Sequence, residues 1–262
     1  MAGAANGNDL VQQVRAGDYD RFLAIQLARP AQRAALYTLT NFHNEIARIA
    51  ETVSEPLIGH IRLAWWREGL EEIMAGKPPR NHPLMQALAT LDARTYPHLR
   101  TMLEARAVDM DTSLIALETA WLDYCDNTAG ALHSAWAIIL NADAAHLETI
   151  RRQARGYAMV GLVRAIPFMM QQGWLRFPHA RMNNIDLVTL EPSETLNRFC
   201  KTILDEALAL LTKNPSLPKP LRALTALAQL HARQLAREGH DPYRQQPQKL
   251  AAAWTVIIIT AN

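Results

Sequence analysis

Cysteine is almost missing from this chain: of 262 residues only Cys125 and Cys200 are cysteines, far apart and outside any C-x-x-C pair. Neither a disulfide framework nor a cysteine-based zinc site is available, so a reducing, cytoplasmic setting is expected. Glycine is scarce at 11 residues, and no phosphate-cradling glycine loop, G-x-S-x-G or H-E-x-x-H string occurs. None of the nine histidines pairs at i, i+4. Nucleotide, serine-hydrolase and zinc chemistry therefore lose their usual sequence support. Charge of one sign is lacking too: 27 Lys and Arg face 25 Asp and Glu, a formal net charge of +2. That balance argues against nucleic acid as a partner. No apolar run approaches the roughly 20 residues of a membrane span. The longest, 251–259, is expected to be a last core element or a surface-dipping terminus. The first residues offer neither a cationic start nor an apolar stretch, so no signal peptide is expected.

What the chain has is 49% hydrophobic residues in helical spacing. Phe42, Ile46, Ile49 and Val53 follow i, i+4, i+7, i+11, while Glu45, Arg48 and Glu51 point elsewhere. Pro30 suits a first helical turn, and Pro56 ends this helix and starts the next. The spacing predicts further helices over 57–75, 83–91, 97–110, 114–140, 144–172, 193–212 and 217–237, with proline and glycine clusters between them. No window alternates as a strand does. One all-α domain of eight to ten helices over 18–262 is expected, preceded by a flexible segment over 1–17.

Carboxylates decide which helical chemistry is possible. An α-helical enzyme that handles diphosphates usually holds Mg²⁺ with aspartates at i, i+4, which puts both on one face. No D-x-x-x-D occurs; the acids spaced by four are Glu51 with Glu55 and Glu68 with Glu72, neither a convincing metal pair. His43, next to Phe42, reads as a core or boundary histidine rather than a base. The arginines 151, 152 and 155 read as a solvated face or a lipid-surface contact.

Five strings then resemble the squalene/phytoene synthase family in order and spacing. They are RAALYTLTNFHNE at 33–45, RLAWWREGL at 62–70, GKPP at 76–79 with His82-Pro83, Tyr124-Cys125 ahead of Ala129-Gly130, and LVR at 162–164 leading to WLRFP at 174–178. The resemblance implies an isoprenoid-synthase fold, a single helical bundle around a central cavity that accepts prenyl chains. It also implies head-to-head condensation of prenyl diphosphates by a prenyltransferase carrying two aspartate motifs.

Those motifs fall here on Ala47 with Glu51 and on Ala165 with Met169, so one acid remains at four positions. Ala and Met cannot replace carboxylate ligands in holding Mg²⁺ at a leaving diphosphate. No metal and no cofactor is therefore expected, Mg²⁺ entering only if atypical ligation, with Glu51 and acids such as Asp109, Asp111 or Asp126, supports turnover. Arg33, Arg48, Arg62, Arg67 and Arg164, with Phe42, remain candidates for binding an anionic or prenyl ligand. The pattern is similar to the family branch lacking these motifs, which includes a mitochondrial respiratory complex I assembly factor. Tyr19-Asp20-Arg21-Phe22 and the VSEPLIG string at 53–59 carry that similarity. It implies a non-catalytic assembly or interaction factor, with a respiratory-complex subunit or a prenyl lipid as partner and a possible peripheral contact with a membrane. The other readings are an active prenyltransferase and a lipid carrier.

Overall fold

Proline and glycine punctuate the chain where expected. In the computed structural model, which describes residues 7–111, 114–182, 185, 192–244 and 252–253, every regular element is helical and no strand forms among these residues. Helices α1 (Gly7–Gly17) and α2 (Tyr19–Gln26) lead into α3 (Pro30–Thr52) and α4 (Pro56–Met74). Both long helices carry proline in the first turn, where its missing N–H costs nothing. Gly76, at φ 73°, follows the end of α4.

Next come α5 (Pro83–Leu88), α6 (Tyr96–Arg106) and a 3₁₀ turn at Ala107–Met110. The predicted helix over 114–140 is two: α7 (Glu118–Cys125) and α8 (Ala131–Ile139), joined by one π-helical turn at Asp126–Gly130. The long α9 (Leu147–Gln171), short α10 (His179–Met182), α11 (Glu194–Leu210) and α12 (Lys219–Arg237) complete the described helices. Ser193 caps α11 by accepting from the Leu196 amide. The described helices thus outnumber the eight to ten expected, because 114–140 divides and because α1 and α10 are added.

Residues 7–17, expected to be flexible, instead form α1. Leu10, Val11 and Val14 lie on one face against the core, Val14 is fully buried, and the Asn41 amide donates to the Leu10 carbonyl at 2.9 Å. The apolar run at 251–259 lies outside the described residues apart from Ala252, which is buried, and Ala253. No described helix is long and apolar enough to cross a membrane.

Two apolar clusters fill the interior. One joins α1 to α6 with α8, centred on Leu36, Leu39, Phe42, Leu99 and Trp136; the other joins α7, α9, α11 and α12 around Trp121, Val163, Phe177 and Ile203. Helix α9 packs closely on α11, where Gly156 lets the backbones approach. A Cβ there would stand 2.9 Å from the Ala207 carbonyl oxygen and 2.9 Å from Leu211 Cγ. Since a backbone oxygen cannot swing away, Gly156→Ala is expected to destabilise by about 1–3 kcal/mol. A urea midpoint equal to that of the parent protein would contradict this close approach.

Candidate functional site

The four motif positions do not form a carboxylate site. Ala47 on α3 and Ala165 on α9 are half-buried and carry no polar atom on the side chain. Met169 is 1% exposed and packs among Met159, Val163 and Ile166, so its position belongs to the core. Glu51, in the last turn of α3, is exposed at its surface side. Partial burial nonetheless raises its pKa above the ordinary value, opposed by nearby Arg48 and Arg106 and assisted by Asp109. Among the described residues no three His, Cys, Asp or Glu side chains converge as a metal site would require. The residues present therefore do not fit the paired Mg²⁺ clusters that the two motifs imply.

A buried ionic network stands in the interior instead. Asp109, 6% exposed, accepts from the Tyr124 hydroxyl at 2.9 Å and from Arg176 Nε at 3.0 Å on Oδ1, and from Arg106 Nη1 at 2.9 Å on Oδ2. Arg106 also donates to the Tyr124 hydroxyl at 2.7 Å. Arg176 is fully buried, donates to the Asp111 carbonyl at 2.7 Å, and stacks its guanidinium 4.7 Å from the Trp174 ring centre. Burial pushes the Tyr124 phenol far above its ordinary range, so it stays a neutral donor.

His43 extends this network. Its Nε2 lies 3.3 Å from Arg106 Nη2 and its Nδ1 3.3 Å from Asn44 Oδ1. A guanidinium can only donate, so Nε2 accepts and Nδ1 carries the proton: the ring is neutral. Burial, with Arg21 and Arg106 close by, holds its pKa well below the ordinary histidine value. His133 is shifted the same way by burial and Arg21. Among the described residues, His133 Nε2, Arg21 Nε and Arg106 Nε are buried and find no hydrogen-bond partner.

A second ionic group ties α2, α9 and α12. Asp20 Oδ2 accepts from His231 Nε2 at 2.7 Å and pairs with Arg164 at 3.4 Å. Burial opposes ionisation of Asp20, but the His231 bond and the two nearby arginines, Arg164 and Arg21, outweigh it and hold its pKa below the ordinary value. Asp18 caps α2 and bonds Arg21.

The remaining candidate residues separate. Arg33 donates to the Ala28 and Gln26 carbonyls at 3.0 and 2.8 Å, closing the end of α2. Phe42 is fully buried edge-on to Trp66, ring centres 5.7 Å apart. Arg164 is held by Asp20, and Arg67 is exposed on α4. Asp126 is bonded to Arg155 and is half of an ion pair. Only Arg48 and Arg62 come together, in a cleft of about 410 Å³ between α3 and α4 lined also by Glu45, Ile49, Thr52, Trp65 and Trp66. Arg62 donates to Thr52 Oγ1 at 2.9 Å. The Arg48 guanidinium reaches across to Gly17, at the carbonyl end of α1, where a cation is favoured.

Sequence reasoning singled out neither Arg106 nor Arg176. The available signals were Tyr124 in the Tyr-Cys string and Arg176 in WLRFP, both inside the strings that carried the family resemblance.

Comparison with known proteins fits this arrangement. A family model for squalene/phytoene synthase matches residues 14–255. The curated relatives include NADH dehydrogenase (ubiquinone) complex I, assembly factor 6, from Bos taurus, 23% identical over 169 residues, 63% of this chain and 51% of that protein. The Homo sapiens protein of that name is 22% identical over 161 residues, 60% and 48% of the two chains. This chain thus spans about half the length of the relatives it matches. Among solved structures, squalene synthase HpnC from Alicyclobacillus acidocaldarius has a TM-score of 0.76 at 15% identity, over 90% of this chain and 95% of that one. A dehydrosqualene synthase in complex with ligand gives 0.76 at 14% identity, over 97% and 95%. At such identities these structures carry the fold, the all-α isoprenoid-synthase bundle. The chain belongs to the squalene/phytoene synthase family.

Proposed function

We propose that this protein is a non-catalytic member of its family that serves another protein, a subunit of a respiratory complex, rather than condensing prenyl diphosphates. The observation that carries the reading is the side-chain set Ala47, Glu51, Ala165 and Met169. Ionising a prenyl diphosphate requires cations that neutralise the departing charge, and Mg²⁺ is held for that purpose by opposed carboxylates. One exposed carboxyl with a raised pKa, with two alanines and a core methionine at the other three positions, is a poor holder of such a cluster. The interior cations Arg106 and Arg176 are already committed to Asp109, and Arg21 to Asp18. The relatives named as complex I assembly factors support the partner class.

Incubation with farnesyl or geranylgeranyl diphosphate and Mg²⁺ is expected to release no diphosphate above a protein-free blank. Deleting the gene is expected to lower the amount of assembled respiratory NADH dehydrogenase and leave the cell's squalene and phytoene unchanged. Steady turnover that Glu51→Gln abolishes would overturn the proposal in favour of a prenyltransferase with unusual metal ligation.

A further inference from the structure

Helix α4 turns one apolar ridge inward and a second outward. Gly59, Leu63, Trp66 and Leu70 face the core. Leu57, Ile61 and Trp65, at i, i+4 and i+8, face solvent with 66%, 60% and 37% of their surfaces exposed, and Ile58 beside them is 40% exposed. Single exposed apolar residues need no explanation, but a continuous i, i+4, i+8 ridge is the surface over which one helix packs against another.

The ridge is anchored. Trp65 lies edge-on to Trp66 with ring centres 5.0 Å apart, meets His82 at 5.6 Å, and carries the Arg80 guanidinium 5.2 Å from its ring centre. Arg80 in turn bonds Glu72, Glu68 and the Trp65 carbonyl. The indole is thereby ordered before any partner arrives, which lowers the entropy lost on binding.

Charge says what fits there. Trp65 also lines the cleft between α3 and α4, whose rim holds Arg48 and Arg62. Neither arginine, nor Arg67 on the same helix, has a carboxylate within ion-pair distance among the described residues. A bilayer fits poorly: Glu51 and Glu55 are exposed at the start of the ridge, Glu45 lines the cleft, and Glu68 continues the ridge beyond Trp65. An anionic lipid surface would meet those acids together with the arginines. A folded segment can instead place a carboxylate over Arg48 and Arg62 alone.

We infer that the outer face of α4, with the α3–α4 cleft, is the docking surface for an acidic amphipathic helix of a partner protein, its apolar seam on Leu57, Ile61 and Trp65 and a carboxylate between Arg48 and Arg62. The inference rests on the partner-serving reading above and names the surface that reading needs. Burying such a seam supplies the association energy, and the arginines set orientation and exclude basic helices.

Two designed 18-residue helical peptides with one apolar seam test it, one carrying glutamates beside the seam and the other lysines at the same positions. Binding to the full chain is read by fluorescence anisotropy. The glutamate peptide is expected to bind at least tenfold more tightly than the lysine peptide. Ile61→Ser should weaken it at least tenfold with an unchanged circular dichroism melt, and Arg48→Glu with Arg62→Glu should reverse the preference. Equal binding of both peptides, no binding of either, or retention by Ile61→Ser would overturn the inference. So would flotation with neutral or phosphatidylglycerol vesicles that Ile61→Ser abolishes, or self-association through this face in sedimentation. Prenyl diphosphate turnover by a chain that still discriminates the peptides would remove the non-catalytic reading and leave this surface standing.

Discussion

Replacing Asp109 by asparagine is expected to lower the free energy of unfolding by about 3–5 kcal/mol. Asp109 is the acceptor on which Arg106, Arg176 and Tyr124 converge, and Arg176 has no contact with solvent. An amide keeps the size but loses the charge, and its NH₂ group turns a donor toward guanidiniums that only donate. Two buried cations would then lack their counter-charge, and it is this uncompensated charge, more than the loss of the bonds, that dominates the cost. Because stability totals only about 5–15 kcal/mol, the variant can fail to accumulate. Tyr124→Phe removes one hydroxyl and keeps the charges, with an expected loss of about 1–2 kcal/mol. Urea denaturation at constant m value separates the two. A loss below about 1 kcal/mol for Asp109→Asn would mean the network is relaxed by solvent and does not hold α6, α7 and the segment at 174–178 together.

Stability is expected to fall as pH drops below 6.5, at up to about 2.7 kcal/mol per pH unit. The cause is the pair of buried neutral imidazoles, His43 and His133, whose pKa values in the folded chain lie well below the ordinary 6.5. In the unfolded chain both take up a proton as pH falls through 6.5, while the folded chain takes up neither until much lower pH. The unfolded state thus binds up to two more protons, each contributing about 1.4 kcal/mol per pH unit, and acid favours it. His98, half-buried near Arg151, shifts in the same direction. Asp20 acts in a separate window. Its lowered carboxyl pKa gives stability that is present above the unfolded value of 3.8 and is lost only as pH falls through the lower folded value. Urea unfolding at pH 7.5, 6.5 and 5.5 reads the slope, and His43→Gln should roughly halve it whatever it does to the absolute stability. A flat profile between pH 7 and 5.5 would show that the two rings reach solvent.

Much of this fold was legible because its helices announce their ends. Pro30, Pro56 and Pro83 start helices where a first-turn proline is tolerated, Gly76 follows one in left-handed conformation, and Ser193 supplies a cap. The division of 114–140 was not legible. The π turn holds no proline, its one glycine, Gly130, keeps ordinary helical dihedral angles, and Asp126–Gly130 is flanked by helical residues on both sides. Helix α1 escaped notice because its apolar residues, Leu10, Val11 and Val14, are few and are set among polar ones; long-range packing fixes it, Val14 in the core and Asn41 on its backbone.

The family strings assign the aspartate-motif positions to Ala47 on α3 and Ala165 on α9, because an ordered set of motifs fixes register even where the side chains differ. They did not show which arginines were available. Arg33 and Arg164 have partners that no spacing rule foretells, since the Gln26 and Ala28 carbonyls meet Arg33 across the α2–α3 turn and Asp20 meets Arg164 only through packing. Arg48 and Arg62 come together because α3 and α4 fold back on each other at Val53 to Glu55, a turn visible in sequence whose angle was not.

The guanidiniums that neutralise Asp109 are built into the same chain as the carboxylate they serve. A soluble cation at such a carboxylate stabilises a fold in proportion to the logarithm of its free concentration, and a chelator can withdraw it. Arg106 and Arg176 have no free concentration to vary and no competing chelator to meet. The charge balance around Asp109 is therefore fixed when the chain is synthesised, and this part of the interior is insulated from fluctuations in the cell's divalent-ion supply.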